Sequence, residues 1–369
     1  MWRKCVFWMC LACFCLVPLP TYAFSVSAHN AVLMDQQSGR VLYAKLPNES
    51  RGIASITKIM TALLAVESGK LQETVTISDN AVRVEGSSIY LKAGDKVKLI
   101  DLVYGLLLRS GNDAAQAIAE YVGGSVDGFV FLMNQKAASL GMQHTHFSNP
   151  SGLDGDGQHY SSAYDMALLT RYATQNDTFK TIFGTKKFRS NAWDYPWTNK
   201  HKLLTSMYEF TTGGKTGFTK KAGRTLVTTA SKNGMNLIVV TLNDSNDWDD
   251  HTNLFEQAFQ DYQMVPILKK GAYEVSHPSL ANHVYIQQEF SYPLTKEESQ
   301  KVAVTLQWNE NQNVQEGQNV GKAIISLEGQ KIGERNLYYS KRLLVSVTGD
   351  LWHDFIQIFS CMIGVRFNG

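Results

Sequence analysis

The sequence predicts a mixed fold of the α/β (α+β) kind, followed by a small all-β domain. Three observations carry this. Apolar residues recur at helical spacing in several segments between Ser55 and Ala173. Residues 211–242 change grammar and read as strand, turn, strand, turn, strand. Beyond Val265-Pro266 the chain is polar and strand-like. With 369 residues the chain is long enough for two or three domains and a large core. Formal net charge is +2, and Arg3 and Lys4 supply it. The remainder is near neutral, so no nucleic-acid footprint is present.

Taken in order, residues 1–23 are read as a targeting segment rather than fold. Met1-Trp2-Arg3-Lys4 is a basic start, residues 5–19 are an apolar core, and Thr21-Tyr22-Ala23 suits cleavage. The protein is therefore expected to be secreted across the cytoplasmic membrane. Four cysteines (Cys5, Cys10, Cys13, Cys15) would leave with that segment, and Cys361 alone would remain, so no internal disulfide is expected. Ala31–Asp35 and Arg40–Lys45 read as a β-hairpin. Ile56, Ile59, Met60, Leu63 and Leu64 form a helical stripe that ends at Gly69. Leu99–Leu108 is apolar nearly all round and reads as a core helix. Asp113–Tyr121 and Phe129–Leu140 are helices stopped by glycines, and Ser162 with Asp165 suggests a capping box before the helix Ala163–Ala173. Thr225–Ala230, Asn233-Gly234 and Met235–Leu242 form a strong hairpin signal. Asp247, Asp249 and Asp250 open a helix through Tyr262, where they suit its dipole better than a calcium loop. The domain boundary is placed at 265/266, and Val302–Trp308, Ala323–Leu327 and Lys331–Tyr338 are strands of the second domain, 266–340. Residues 341–369 carry a helical apolar stripe with Trp352, too short to span a bilayer, and read as an interfacial amphipathic helix.

Chemistry is suggested by one constellation. Ser55-Ile56-Thr57-Lys58 places a hydroxyl and an amine on one helix face, with Cβ atoms about 5–6 Å apart. A lysine facing core needs a partner or a job. Alone, the pattern reads equally as a cap with a snorkelling lysine. Ser110-Gly111-Asn112 and Lys215-Thr216-Gly217 follow downstream in the order associated with serine acyl-transfer enzymes. Each is also ordinary turn or strand chemistry taken singly. Ser87-Ser88 reads either as bordering a cleft or as capping a turn, and the loop residues Asp154 and His159 have structural roles open to them.

The chain resembles the low-molecular-weight penicillin-binding proteins, the serine-type D-alanyl-D-alanine carboxypeptidases of the penicillin-binding protein 5 type. ASITKIMTALLA, GSSIYL, LLLRSGNDAA, NPSGLDGDGQHYSSAYDMA and GGKTGFTKKAGRTLV carry the resemblance across residues 28–340. Overall likeness is greatest to the sporulation-associated members from endospore formers. The resemblance implies a β-lactamase/transpeptidase-like catalytic domain (24–265) with an antiparallel sheet between helices. It implies Ser55 as nucleophile, Lys58 as its base and Ser110 as the proton relay to the leaving nitrogen. Asn112, Lys215, Thr216, Gly217, Phe218 and Thr219 would bind substrate, with the N–H groups of Ser55 and Phe218 forming the oxyanion hole. The substrate would be a peptidoglycan pentapeptide ending in D-Ala-D-Ala, β-lactams would acylate the enzyme, and no cofactor or metal is implied. The tail would hold it on the outer membrane face.

Two departures matter. Family members often carry a basic residue after the strand that follows the Lys-Thr-Gly hairpin. Here Thr241-Leu242-Asn243-Asp244-Ser245 has none, which leaves carboxylate recognition to Thr216, Thr219, Lys215 or Arg224. A β-lactamase with fast deacylation uses a glutamate base, and Glu120 and Glu209 sit in no recognisable setting for it. A transpeptidase or endopeptidase would share the motifs, and a silent wall-binding protein would not need all of them.

Overall fold

A computed structural model describes residues 25–155, 158–190, 192–277, 280, 283–309 and 314–342. The targeting segment, all five cysteines and the amphipathic tail from residue 343 lie outside the described residues.

The chain opens with β1 (Asn30–Asp35) and β2 (Val41–Lys45), paired as an antiparallel hairpin. It returns to the same sheet only after six helices and four short strands, through β7 (Thr211–Thr219), β8 (Gly223–Lys232) and β9 (Met235–Leu242). The sheet order is β2-β1-β9-β8-β7, antiparallel throughout, which leaves β7 as an edge. The β8–β9 turn uses Asn233 and Gly234 with positive φ, as a two-residue hairpin requires.

Strand alternation sorts the two faces. Val32, Met34, Val227, Ile238 and Val240 point to the larger core, which packs the helices between β2 and β7. These are α1 (Lys58–Glu67), α2 (Leu99–Tyr104), α3 (Asn112–Gly123), α4 (Val126–Ser139), α5 (Ala163–Ala173) and α6 (Asp177–Phe183). Leu33, Leu237 and Val239 point to the other face, where Leu254, Phe255 and Ala258 of α7 (Asp247–Asp261) cover them. Short ladders β3 (Thr74–Thr76) with β4 (Lys96–Lys98), and β5 (Lys187–Phe188) with β6 (Trp197–Thr198), decorate the helical side.

Helix α5 keeps its expected cap, with Ser162 Oγ accepting the Asp165 N–H at 3.1 Å. The return half of the capping box is spent elsewhere: the Asp165 carboxylate accepts from His144 N–H and Thr145 Oγ1, each at 2.7 Å. The acidic start of α7 is also used for contacts. Asp250 accepts from the N–H and hydroxyl of Ser27, and Asp247 pairs with Arg224.

The boundary expected at Val265-Pro266 falls in a strand. Both residues lie inside β10 (Gln263–Leu268), which pairs with β13 (Phe290–Leu294). Pro266 has no N–H to donate, and the ladder's register shifts between Pro266 and Leu268. A second sheet follows in the order β11-β12-β16-β15-β14, from β11 (Gly271–Tyr273), β12 (Val284–Ile286), β14 (Val302–Trp308), β15 (Asn319–Leu327) and β16 (Gln330–Tyr339). It has its own core around Val284, Ile286, Ala323, Ile325 and Leu337. Arg40 joins the two units: its guanidinium bonds Glu298 and the Pro293 carbonyl and lies over the rings of Tyr262 and Tyr292.

Candidate active site

Ser55 sits on a forced turn. Ala54, just before it, has φ +48°, a conformation a β-carbon disfavours. A 3-10 turn over Ala54–Thr57 then feeds α1. Two contacts hold the Ala54 carbonyl. Thr57 Oγ1 donates to it at 2.8 Å, and Gly152 passes so close that a β-carbon there would lie 1.9 Å from that oxygen. His159 completes the support. Its Nδ1 accepts the Ser148 N–H at 3.1 Å, so Nε2 carries the proton and donates to Thr57 Oγ1 at 2.7 Å. Burial pushes the His159 pKa down to about 4, which keeps this tautomer neutral.

Lys58 opens α1 and is fully buried. Its Nζ has three partners: Ser55 Oγ at 3.0 Å, Asn112 Oδ1 at 2.7 Å and the Ser151 carbonyl at 2.5 Å. Burial first, then the charges of Lys215 and Lys200, hold its pKa well below the ordinary lysine range. A neutral amine donates twice and accepts once. That valence matches two fixed acceptors and one hydroxyl donor, so Lys58 can take the Ser55 proton.

The second motif is set by an unusual helix end. The predicted helix Leu99–Leu108 is α2 followed by a π turn over Gly105–Arg109, and Ser110 closes it at φ +63°. This strained cap puts Ser110 Oγ 3.1 Å from Lys215 Nζ. Asn112 opens α3. Its Oδ1 is on Lys58 and its Nδ2 donates to the Glu85 carbonyl at 2.6 Å. Asp113 pins the segment GSSIYL: its carboxylate accepts from Ser88 Oγ and from the N–H groups of Ile89 and Leu91. Ser88 is therefore structural, while Ser87 faces Lys200, whose Nζ donates to it at 3.2 Å.

The third motif lies on the edge strand β7. Lys215 is buried and donates to Ser110 Oγ and to the Thr216 carbonyl, and burial with the charge of Lys200 brings its pKa down to about 7. Gly217 is where the strand meets the Ser55 turn. A β-carbon there would lie 2.9 Å from Ser55 N and 2.4 Å from Thr225 Oγ1. The absence of a side chain thus lets Ser55 N–H and the edge of β7 face one opening. Phe218 is 66% exposed at its mouth. Thr216 is half-buried on the same edge. Thr219 is turned to local use: it donates to Asp154 Oδ1 at 3.1 Å and accepts the Ala222 N–H at 3.0 Å.

Arg224 does not reach the cleft. Thr225, its neighbour on β8, points to the Ser55 side and bonds the Ile53 carbonyl, so alternation sends Arg224 to the opposite face. There it pairs with Asp247 at 2.7 Å and lies over Trp248. Glu120 is likewise engaged away from Ser55, with Ser78 and Gln116.

Two contributors escaped the sequence reading, the Ser151 carbonyl and Lys200, while His159, read with a structural role open to it, takes that role through Thr57. The first had a signal. Asn149-Pro150-Ser151-Gly152 is turn chemistry, and Asn149 Oδ1 does gather the N–H groups of Ser151 and Gly152, while the Pro150 carbonyl accepts from Thr61 on α1. Lys200 had no motif.

Comparison with known proteins converges on one family. A family described as D-alanyl-D-alanine carboxypeptidase matches residues 19–246, and the C-terminal domain of penicillin-binding protein 5 matches residues 262–343. The D-alanyl-D-alanine carboxypeptidase DacF of Bacillus subtilis is 33% identical over 325 residues, which is 83% of each chain. Penicillin-binding protein 5 of Haemophilus influenzae superposes with a TM-score of 0.72 at 29% identity, over 88% of this chain and 98% of that one. The DD-transpeptidase of Streptomyces K15 is 31% identical with a TM-score of 0.60, over 64% of this chain and 99% of its own.

Proposed function

The chain belongs to the D-alanyl-D-alanine carboxypeptidase family, a penicillin-binding enzyme of the cell wall, and from that premise we propose how its residues divide the work. The observation that carries the proposal is the placement of buried Lys58, 3.0 Å from Ser55 Oγ with two further acceptors already fixed. The substrate is a peptidoglycan pentapeptide ending in D-Ala-D-Ala. Neutral Lys58 takes the Ser55 proton as Oγ attacks the carbonyl carbon of the penultimate D-Ala. The N–H groups of Ser55 and Phe218 receive the oxyanion. Ser110, held by Lys215, passes a proton to the departing D-Ala nitrogen as the C–N bond breaks. Asn112 holds Lys58 and the incoming peptide, and the Thr216 hydroxyl meets the terminal carboxylate. Water then cleaves the acyl-enzyme. A β-lactam enters the same path and stops at the adduct, because no glutamate base stands beside it among the described residues.

The test is peptide mapping after brief exposure to penicillin. The penicilloyl mass is expected on Ser55, and its appearance on another residue would refute the assignment. A second reading, transfer of the acyl group to an amine, is favoured by the likeness to the Streptomyces K15 enzyme. Release of D-Ala from a monomeric pentapeptide without an acceptor separates the two.

The finer location is also a proposal. Residues 1–23 direct export and residues 341–369 fasten the enzyme to the membrane surface, as their sequence pattern supports. Among the described residues no helix is long and apolar enough to cross a membrane. A chain stopped after Tyr339 should leave the membrane fraction and keep its penicillin binding. Retention with membranes would count against the tail.

A further inference from the structure

Building on the carboxypeptidase reading, we propose that Lys200 is the basic residue that receives the terminal carboxylate of the substrate. The reaction acts on a peptide that ends in an anion, and a cleft with two depressed lysines needs a cation still free to meet it. Lys58 is committed to Ser55, Asn112 and Ser151. Lys215 is committed to Ser110 and the Thr216 carbonyl. Arg224 is on the far side of the sheet with Asp247.

Lys200 differs from all three. Its side chain is exposed, although partial burial and the neighbouring Arg109 charge lower its pKa from the ordinary lysine value; its Nζ donates to the neutral hydroxyl of Ser87, and among the described residues no carboxylate pairs with it. Its backbone is fixed at the site. The Lys200 N–H donates to the carbonyl of Leu108, two residues before Ser110. On one side Asn199 is tied to the Thr185 carbonyl. On the other His201 packs so tightly on β7 that a β-carbon on Gly214 would lie 2.2 Å from its ring. Ser87, the partner of Lys200, also accepts the Asn112 N–H through its carbonyl at 2.6 Å. The ammonium therefore stands at the rim where the second and third motifs meet. Its charge depresses both Lys58 and Lys215, which places it near the two groups that flank the reacting bond. An anion bound there would meet Lys200 from the solvent side and the Thr216 hydroxyl from the strand. Lys220 and Lys221 are also exposed, but they sit beyond Thr219 at the tip of the β7–β8 turn.

The test uses two acyl-D-alanyl thioesters, one with thioglycolate as leaving group and one with its neutral methyl ester. Wild type, Lys200→Gln, Lys200→Arg and the double variant Lys220→Gln/Lys221→Gln are compared. In Lys200→Gln the preference for the carboxylate substrate should fall at least about 10-fold, the scale of one charged hydrogen bond, mainly through KM. Lys200→Arg should restore it to within about 3-fold, since charge is kept. The double variant should keep the wild-type preference. Equal losses on both thioesters would mean that Lys200 acts only through Lys58 or the fold, and the proposal would fail. An unchanged preference would also overturn it. If instead wild type forms no adduct and cleaves neither thioester, the underlying carboxypeptidase reading fails rather than this one.

Discussion

The central sheet carries a buried polar chain on each side, and the two are built to opposite ends. On the helical side Lys58 joins Ser55 to Asn112, and Lys215 holds Ser110 beside them, from a half-exposed hydroxyl to a buried amine. On the α7 side His201, Thr228, His251 and Thr241 form a continuous chain. The second chain is saturated and closed. His201 Nδ1 takes the Leu204 N–H, Thr228 Oγ1 lies 3.0 Å from His201 Nε2 and 2.8 Å from His251 Nδ1, and His251 Nε2 lies 3.0 Å from Thr241 Oγ1. Its two imidazoles are held neutral by burial, and its other partners are the Leu204 N–H, the Val227 carbonyl and, beyond Thr241, Asp244. The first chain ends on an opening, holds two amines whose pKa values lie below the usual range, and is flanked by strained residues, Ala54 and Ser110. Strain and buried charge thus gather where bonds are to be made, while a closed chain of neutral groups holds the sheet to its helix.

The largest expected effect tests the open chain. Lys58→Met should slow acylation by penicillin at least about 100-fold, the usual scale for a general base. Its thermal stability should move little. Removing the amine relieves its burial but leaves Asn112 Oδ1 and the Ser151 carbonyl without a donor, two effects of similar size and opposite sign. Acylation within about 10-fold of wild type would make the open chain as structural as the closed one.

The closed chain should instead answer to acid. His201 is pushed down to about 3 by burial, and burial also carries His251 well below its usual value. Each binds its proton more readily unfolded, at about 6.5, than folded. Their contribution is therefore complete above about 6.5 and is lost as pH falls toward the folded values. His159, at about 4, adds in the same direction. The carboxyls of Asp244, raised to about 6, and of Asp35 and Asp101, also raised by burial, oppose them, but the larger displacement of the three imidazoles should keep the sign. The urea midpoint is expected to fall between pH 7 and pH 4.5, and to fall less in His251→Gln. A flat midpoint would show that these rings are not what acid attacks.

A smaller effect comes from Thr228→Val. Its hydroxyl is the shared link between two buried imidazoles, so its loss should cost about 1–3 kcal/mol, the penalty of an unmade buried hydrogen bond. Activity of the folded fraction should stay near wild type. A drop in kcat without a drop in stability would mean the two chains are coupled through the sheet.

Much of the open chain was legible because acyl transfer demands residue types at fixed local spacing. Ser55 and Lys58 share one helical turn, and Lys215-Thr216-Gly217 must be a strand edge that admits backbone approach. Helices α1, α3, α4 and α5 and the three strands of 211–242 were legible from periodicity and glycine stops. What periodicity could not reveal is tertiary. The Ser151 carbonyl, His159 and Lys200 reach the cleft from irregular loops, where neighbours in space are remote in sequence. For Arg224, left open as a carboxylate partner, strand parity assigns the face opposite Thr225, and only the fold shows which face holds Ser55. Val265 and Pro266, placed at the boundary between the two domains, lie in a two-stranded ladder whose register shifts at the proline.

The last comparison places one substitution on each chain. Thr216 and Thr228 are both strand threonines, on the adjacent strands β7 and β8. Thr228 lies between two rings, whereas Thr216 is half-buried on the edge of β7, and its recorded bond is the one its carbonyl accepts from Lys215. Thr216→Val keeps shape and strand preference and removes only the hydroxyl. Stability should therefore change by no more than about 0.5 kcal/mol. Turnover of a D-Ala-D-Ala peptide should fall about 10-fold, one hydrogen bond to a charged group, while acylation by penicillin falls less, because the strained lactam ring supplies its own driving force. If Lys200 shares the carboxylate, Thr216→Val combined with Lys200→Gln should lose less than the sum of the two single losses, since both hold the same anion. Strict additivity would separate the two sites, and a fall in thermal midpoint like that of Thr228→Val would erase the contrast between the open and the closed chain.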